Sequence, residues 1–409
     1  MGKVTGIMNE YARTEMMRDG VGLIPDFYNI PFLIDPINLI SNNQADGGNF
    51  EVQPGVGGNL GTILLGKGRN NNQMATEVVD FLKAQGVQTV VDDFDLTWMQ
   101  LGHTDEVVSF ASTSSNRARI ASPETAWALL VIADRMGGAA LSMLQGMNGL
   151  PANGVTVDDV LRGPSAANVR AINFNSGTGY SEKLLNIRTS LGFTSPVSTP
   201  LSGAGAPANV LRRAGYLDVF DTLYNYGDEV EWKLSFSNAD EFTIEHRKVG
   251  TTNWAADGSG KCSEDSVAAS NAIYILKEWW DATKVTAQGH EVTFITKPSP
   301  DMIEMPVLFG STGFGAKAAT NNVINSIVDG DTLFVARTYG PAVWPGQPGG
   351  PNRDIFEFYV EEAAHKAGFT TVYFNEERDY HTGTGSIHCA SNVLRLIPDQ
   401  AAEKWWNNL

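Results

Sequence analysis

His103 and Asp105, in LGHTDE (101–106), and Cys389, in GSIHCASN (385–392), are residues whose types and spacing could do chemistry. On an extended strand, side chains two positions apart share a face. An imidazole beside a carboxylate suits a general acid/base with a pKa near neutrality; the same pair can equally be a hydrogen bond that stabilises a turn. A thiol becomes a nucleophile where a neighbour lowers its pKa or takes its proton, and is otherwise an inert filler. Cys389 follows a glycine-rich approach, GTGSI, where backbone can come close to a ligand, and precedes the hydrogen-bonding ASN. Zinc is a rival use for His103, His381, His388 and Cys389, but no Cys-x-x-Cys or His-Glu-x-x-His spacing supports it. Two weaker stretches complete the set. EMMRDGVGL (15–23) carries Arg18 and Asp19 before a glycine, which also reads as an ordinary turn with a surface ion pair. ADGGNFEVQPG (45–55) carries Glu51 on a short strand, which also reads as a plain hairpin.

These residues need a frame, and a repeated unit offers one. QMATEVVDFLKAQGVQTVV (73–91) puts Ala75, Val78, Val79 and Leu82 on one helical face, with Gly86 as the stop and a β-branched strand after it. AIYILKEWWDATKVTAQGHEVTFI (272–295) repeats the scheme, as does DIFEFYVEEAAHKAGFTTVYF (354–374) with Gly368 as its stop. Helix, glycine, strand, recurring, argues for an α/β fold of repeated modules. LGHTDEVVSF follows the first strand and DYHTGTGSIHCASN the third, so equivalent modules deliver the candidate side chains. TSPVSTPLSGAGAPAN (194–209) reads as a loop or linker, and DGSGKCSED as a polar loop around Cys262. Residues 140–270 are expected to form an insertion or subdomain within a single domain spanning 1–409.

Composition narrows the class. The chain has 409 residues, 42% hydrophobic and 18% charged, with 42 glycines and a net charge of −17. That charge disfavours nucleic acid and anionic membranes as partners and favours cationic substrates, although acidity also serves solubility. No apolar run approaches the roughly 18 residues a span needs, and no apolar leader core follows the first methionine, so the default compartment is cytoplasmic. Two cysteines make no disulfide framework.

Taken together, GGNFEV, WMQLGHTDEVVSF, RARIASP, DMIEMPVLF, NNVINSIV…YGPAV, DYHTGTGSIHCASNVLR and EKWWNNL resemble the catalytic domain of protein-arginine deiminases, members of the pentein (guanidine-modifying) superfamily. The resemblance covers about 48–135 and 295–409. It implies a β/α-propeller of ββαβ modules with a large insertion. It further implies that Cys389 attacks a guanidinium carbon, that His103 protonates the departing ammonia and activates water, and that Asp105 and Asp19 hold the guanidinium nitrogens. Arginine in protein or peptide would become citrulline. Gly383 stands where protein-directed enzymes often carry an arginine, and Arg18-Asp19 before glycine also looks like agmatine deiminases. A small-guanidine hydrolase for agmatine or free arginine is therefore an alternative, as is a guanidinium-binding pentein without turnover. The chemistry itself requires no cofactor. Calcium enters by resemblance alone, with Glu51 and the Phe50 carbonyl at ligand positions. Because Arg18 and Gly20 are not anionic donors, the expectation is that Arg18 replaces the ion by pairing with Glu51.

Overall fold

The computed structural model describes residues 47–55, 61–71, 73–110, 118–135, 156–164, 166–174, 178–192, 197–202, 230–236, 241–261, 291–296, 302–343, 352–374 and 388. The first unit comprises β1 (Phe50–Gln53), β2 (Thr62–Lys67), helix α1 (Thr76–Ala84) and β3 (Thr89–Asp95). β1 runs antiparallel to β2, and β3 runs parallel to it on the other side. The central strand reads Thr-Ile-Leu-Leu-Gly-Lys and is buried through its middle, as a strand covered on both faces must be. Val79 of α1 packs with Ile63 and Leu65, and Val78 and Leu82 close the same contact. Ala75 lies just before the helix and is exposed. Gly86, with φ +63, ends it in a conformation only glycine adopts without strain.

The second unit begins with β4 (Val108–Phe110), β5 (Ala118–Ser122) and helix α2 (Pro123–Arg135). Proline at the first helical position loses no hydrogen bond, because that N–H has no partner inside a helix. From Ala126 to Ala133 every residue of α2 is buried, so an all-apolar run here makes a core helix rather than an amphipathic one. The chain then forms α3 (Val157–Leu161), α4 (Ala166–Phe174) and α5 (Tyr180–Ser190). Next come β6 (Val197–Ser202), β7 (Val230–Phe236), β8 (Glu241–Lys248), β9 (Ala255–Lys261) and β10 (Glu291–Thr296), paired antiparallel in the order β6-β10-β7-β8-β9. It returns as β11 (Met302–Pro306), parallel to β5. The unit is again ββαβ, with a long excursion before its last strand.

A hairpin of β12 (Phe309–Thr312) and β13 (Gly315–Ala318) leads into the third unit. It contains β14 (Ile327–Asp329), β15 (Thr332–Ala336), a small hairpin of β16 (Ala342–Val343) with β17 (Arg353–Asp354), helix α6 (Ile355–Lys366) and β18 (Thr370–Phe374). β14 is antiparallel and β18 parallel to β15. Asp354 caps α6 by accepting from the N–H groups of Phe356 and Glu357 at 2.9 and 3.2 Å, and Gly368, with φ +87, follows its end.

The mixed α/β character expected from the sequence is present, and two of the three recurring segments fall in equivalent places. The third does not. β10, the strand of 272–295, lies in the five-stranded antiparallel sheet, and its helical part is outside the described residues. The unit equivalent to the other two is 108–135 with 302–306. The 194–209 segment, read as a loop, carries strand β6. That strand is an edge strand, where Pro200 is tolerated, and its register shifts twice against β10. β9 likewise takes up the first part of the expected polar loop, as the other edge strand.

The helices of the excursion are fastened to the modules. Arg188 of α5 pairs with Glu304 of β11 at 2.6 Å, and Glu304 also accepts from Ser122 and Thr125. The Asn173 side chain makes both hydrogen bonds of an amide to the Phe309 backbone, at 3.0 and 3.1 Å. Tyr180 stacks on Trp98 with ring centroids 4.8 Å apart. No described helix is long and apolar enough to cross a membrane.

Candidate active site

The site forms where the turn after β3 meets the start of β1. Gly102 has φ +79 and a Cβ there would lie 2.5 Å from the Gly68 Cα, so only glycine lets the two chains touch. The next residues form a short 3₁₀ turn, Thr104–Glu106, rather than the strand that the His-x-Asp spacing implied. A strand was not possible because the turn is tied to itself. The Val107 N–H donates to the Thr104 carbonyl at 3.1 Å, and the His103 N–H donates to Glu106 Oε2 at 3.2 Å.

Asn49 binds this turn to the first sheet. Its side chain donates to the Gly66 carbonyl at 3.1 Å and accepts from the Gly66 N–H at 2.7 Å, while Thr104 Oγ1 donates to its carbonyl at 3.2 Å. Beside it, Gly48 presses against Asp105: a Cβ at Gly48 would stand 2.6 Å from Oδ2. The second glycine of GGNFEV therefore has a steric purpose.

Asp105 is wholly buried, and a buried carboxylate must be paired or hydrogen-bonded. Asn325 Nδ2 donates to Asp105 Oδ2, and His388 Nδ1 lies 2.9 Å from the same oxygen. The His388 N–H donates to Asn325 Oδ1 at 3.0 Å. Groups 283 positions apart in the chain thus meet at one carboxylate. Asp105 raises the His388 pKa above the ordinary imidazole value, by hydrogen bond first and by charge as well, against the opposing effect of burial. His103 is also buried, at 4% exposure.

Two further carboxyls flank the pair. Burial pushes Glu106 up to about 8, helped by the Asp105 charge. Burial pushes Glu51 on β1 up to about 7, against the fields of His388 and Arg119 and a hydrogen bond from the Phe110 backbone. Arg119 of β5 is fully buried, is pushed down to about 10 by desolvation, and donates through Nη1 to Ser326 Oγ.

Glu51 and the Phe50 carbonyl supply one carboxylate and one neutral oxygen, whereas calcium takes six to eight oxygens. The described positive charges acting on Glu51 are His388 first and then the buried Arg119 guanidinium, and both oppose a divalent ion there. Among the described residues no group of three or more His, Cys, Asp or Glu could hold a metal. The described donor set does not fit calcium. Arg18, the expected partner of Glu51, lies outside the described residues, as do Asp19, Gly20, Cys262, His381, Gly383 and Cys389.

Of the expected site residues, the structure brings Asp105 into contact with His388, the neighbour of Cys389, and puts Glu51 within their field. Sequence reasoning missed Asn325, Asn322 and Arg119. Asn322 Nδ2 donates to the Glu106 carbonyl at 2.9 Å, so two asparagines from one loop hold the 3₁₀ turn. Three asparagines within AATNNVINSIV, buried among apolar residues, were the available signal.

Comparison with known proteins identifies a family. The protein-arginine deiminase (PAD) family profile matches residues 17–173 and 295–407. Protein-arginine deiminase type-1 of Homo sapiens is 29% identical over 107 residues, covering 26% of this chain and 15% of that protein. Type-3 of Rattus norvegicus is 30% identical over 169 residues, covering 37% and 24%. Type-3 of Homo sapiens is 34% identical over 111 residues, covering 24% and 17%. The matches thus span between 15% and 24% of these relatives' length. The profile's two segments contain the 3₁₀ turn with Asp105, the asparagine loop and His388 beside Cys389, so the chain belongs to the protein-arginine deiminase family.

Proposed function

We propose that this chain is a hydrolase that deiminates a guanidinium group, converting arginine in a protein or peptide to citrulline and ammonia. The observation that carries the reading is the buried Asp105 carboxylate held against His388, the residue before Cys389. A buried anion bonded to the residue that precedes a candidate nucleophile in sequence suits a planar cation, which loses its hydration on entry and needs charged, hydrogen-bonded partners. The −17 net charge favours such a substrate too.

In this reading Asp105 and Asp19 each accept N–H groups of the guanidinium and turn its carbon toward Cys389. The Cys389 thiolate adds to that carbon. His103 gives its proton to one amino nitrogen as the C–N bond breaks, and ammonia leaves. A thiouronium remains on sulfur. Water, losing one proton to His103, adds to the same carbon; the C–S bond then breaks, the thiolate is restored, and the remaining hydroxyl proton passes through solvent to the released ammonia. The balance is guanidinium plus water giving a ureido group plus ammonium. No step uses a metal.

We also infer that the three ββαβ units are arranged as the β/α-propeller implied by family resemblance, in a single domain. The excursion between β5 and β11, expected over 140–270, is its insertion. The family profile's gap between 173 and 295 supports such an insertion. The substrate is tested by incubating the chain with a blocked arginyl ester, with agmatine and with free arginine, reading ureido colour. Turnover of the ester above the other two is expected. Preference for agmatine or free arginine would make the chain a small-guanidine hydrolase, and binding without product would make it a non-catalytic relative.

A further inference from the structure

We propose that Asn325 is a positioning residue that sets the distance between the substrate-holding carboxylate and the nucleophile; this rests on the deiminase reading above. One planar amide makes two divergent contacts. Its donor end holds Asp105 Oδ2, and its acceptor end holds the His388 N–H at 3.0 Å. His388 Nδ1 then returns to the same Asp105 oxygen at 2.9 Å, closing a circuit of three residues through the His388 backbone N–H. The peptide so held immediately precedes Cys389.

The residue type is demanding. Aspartate lacks the donor, leucine lacks both groups, and serine lacks the reach to span carboxylate and backbone together. Asn325 is itself anchored, being 1% exposed in the loop between β13 and β14. Around it, Ser109 Oγ and Ser326 Oγ both donate to the Ile324 carbonyl at 3.0 Å, and Arg119 donates to Ser326. The amide is therefore carried by a rigid loop tied to β4 and β5. Its contacts are built before substrate arrives, so the reacting groups need no rearrangement. A misplacement of about 1 Å between reacting groups can cost about a hundredfold in rate.

The test compares wild type with Asn325→Ala and Asn325→Asp in the full chain. Three readouts are used: kcat/KM on a blocked arginyl ester, the alkylation rate of the Cys389 peptide by a haloacetamidine and by neutral iodoacetamide, and the pH–rate profile. Asn325→Ala is expected to lower kcat/KM about a hundredfold. Its haloacetamidine labelling should fall at least tenfold and its iodoacetamide labelling less than threefold, because the thiol remains while its alignment with Asp105 is lost. Asn325→Asp keeps the acceptor for His388 but opposes Asp105 with a like charge, amid Glu51, His388 and Arg119. Its activity should recover on acidification, as a shared proton restores the donor.

An Asn325→Ala variant within threefold of wild type, equal loss with both reagents, or an unmoved pH profile in Asn325→Asp would overturn the proposal. A wild-type chain that makes no ureido product from any guanidine would overturn the deiminase reading instead. In that case the ratio of the two labelling rates still decides the clamp.

Discussion

Replacing Glu106 by glutamine should make the protein more stable at neutral pH, although it removes a carboxyl group beside the proposed active site. Glu106 is 8% exposed, and its carboxyl is raised from 4.5 to about 8, first by burial and then by the Asp105 charge. The folded state therefore keeps a proton that the unfolded chain releases above its ordinary value. The associated stability is fully present below pH 4.5 and is lost as pH rises through about 8. Within that window the slope is about 1.4 kcal/mol per pH unit, or about 3 kcal/mol between pH 5 and 7.5. For 409 residues the unfolding entropy is on the order of 0.9 kcal/mol per kelvin, so the loss amounts to about 4 °C in Tm. Glutamine keeps an acceptor for the His103 N–H, which Glu106 Oε2 holds at 3.2 Å. The assay is thermal unfolding of wild type and Glu106→Gln from pH 5 to 8.5, taking the difference of the two curves. His388 titrates in both proteins, so the difference isolates Glu106. The variant should gain steadily on wild type as pH rises. A difference that stays flat across the range refutes the buried-carboxyl argument.

Three other perturbations bear on the site. Asp105→Ala removes the acceptor shared by Asn325 and His388 and leaves a bound cation half-paired, so kcat/KM should fall by about 3–5 kcal/mol in transition-state terms; unchanged kinetics would put Asp105 outside the pocket. Gly48→Ala drives a methyl to 2.6 Å from Asp105 Oδ2, and this overpacking should cost about 1–3 kcal/mol in stability while raising KM; unaltered Tm and KM would show that the contact relaxes freely. Because the described donors do not fit calcium, a calcium chelator should leave turnover of the arginyl ester and Tm unaltered. A steep calcium requirement for either would contradict the Arg119–Glu51 argument.

What the sequence made legible was set by local physics. The helix–glycine–strand units at 73–91 and 354–374 were readable because apolar periodicity and a left-handed glycine are both encoded within a few residues. The unit at 272–295 has the same local pattern but a different partner, since strand pairing depends on the rest of the sheet. β6 was missed because its Ser, Thr and Pro are tolerated at a sheet edge and look like a loop when read alone. In the site, His103 and Asp105 were found through their spacing, but that spacing suggested a strand; the capping contact from Glu106 makes it a 3₁₀ turn. His388 was weighed only as a metal ligand. Its bond to Asp105 joins residues 283 apart, and no local pattern announces that. The partners of Asn325 and Arg119 are likewise brought in by the fold, and only the run of asparagines in AATNNVINSIV hints at the first of them.

Deimination by this chain requires a sulfur nucleophile that operates beside Asp105. Peptide mass spectrometry of the full chain after exposure to a haloacetamidine, a guanidinium mimic with a leaving group, measures this most directly. A single adduct on Cys389 is expected, protected by excess arginyl ester and abolished in Cys389→Ser. Labelling of Cys262 alone, or none at all in an arginine-binding chain, would contradict it.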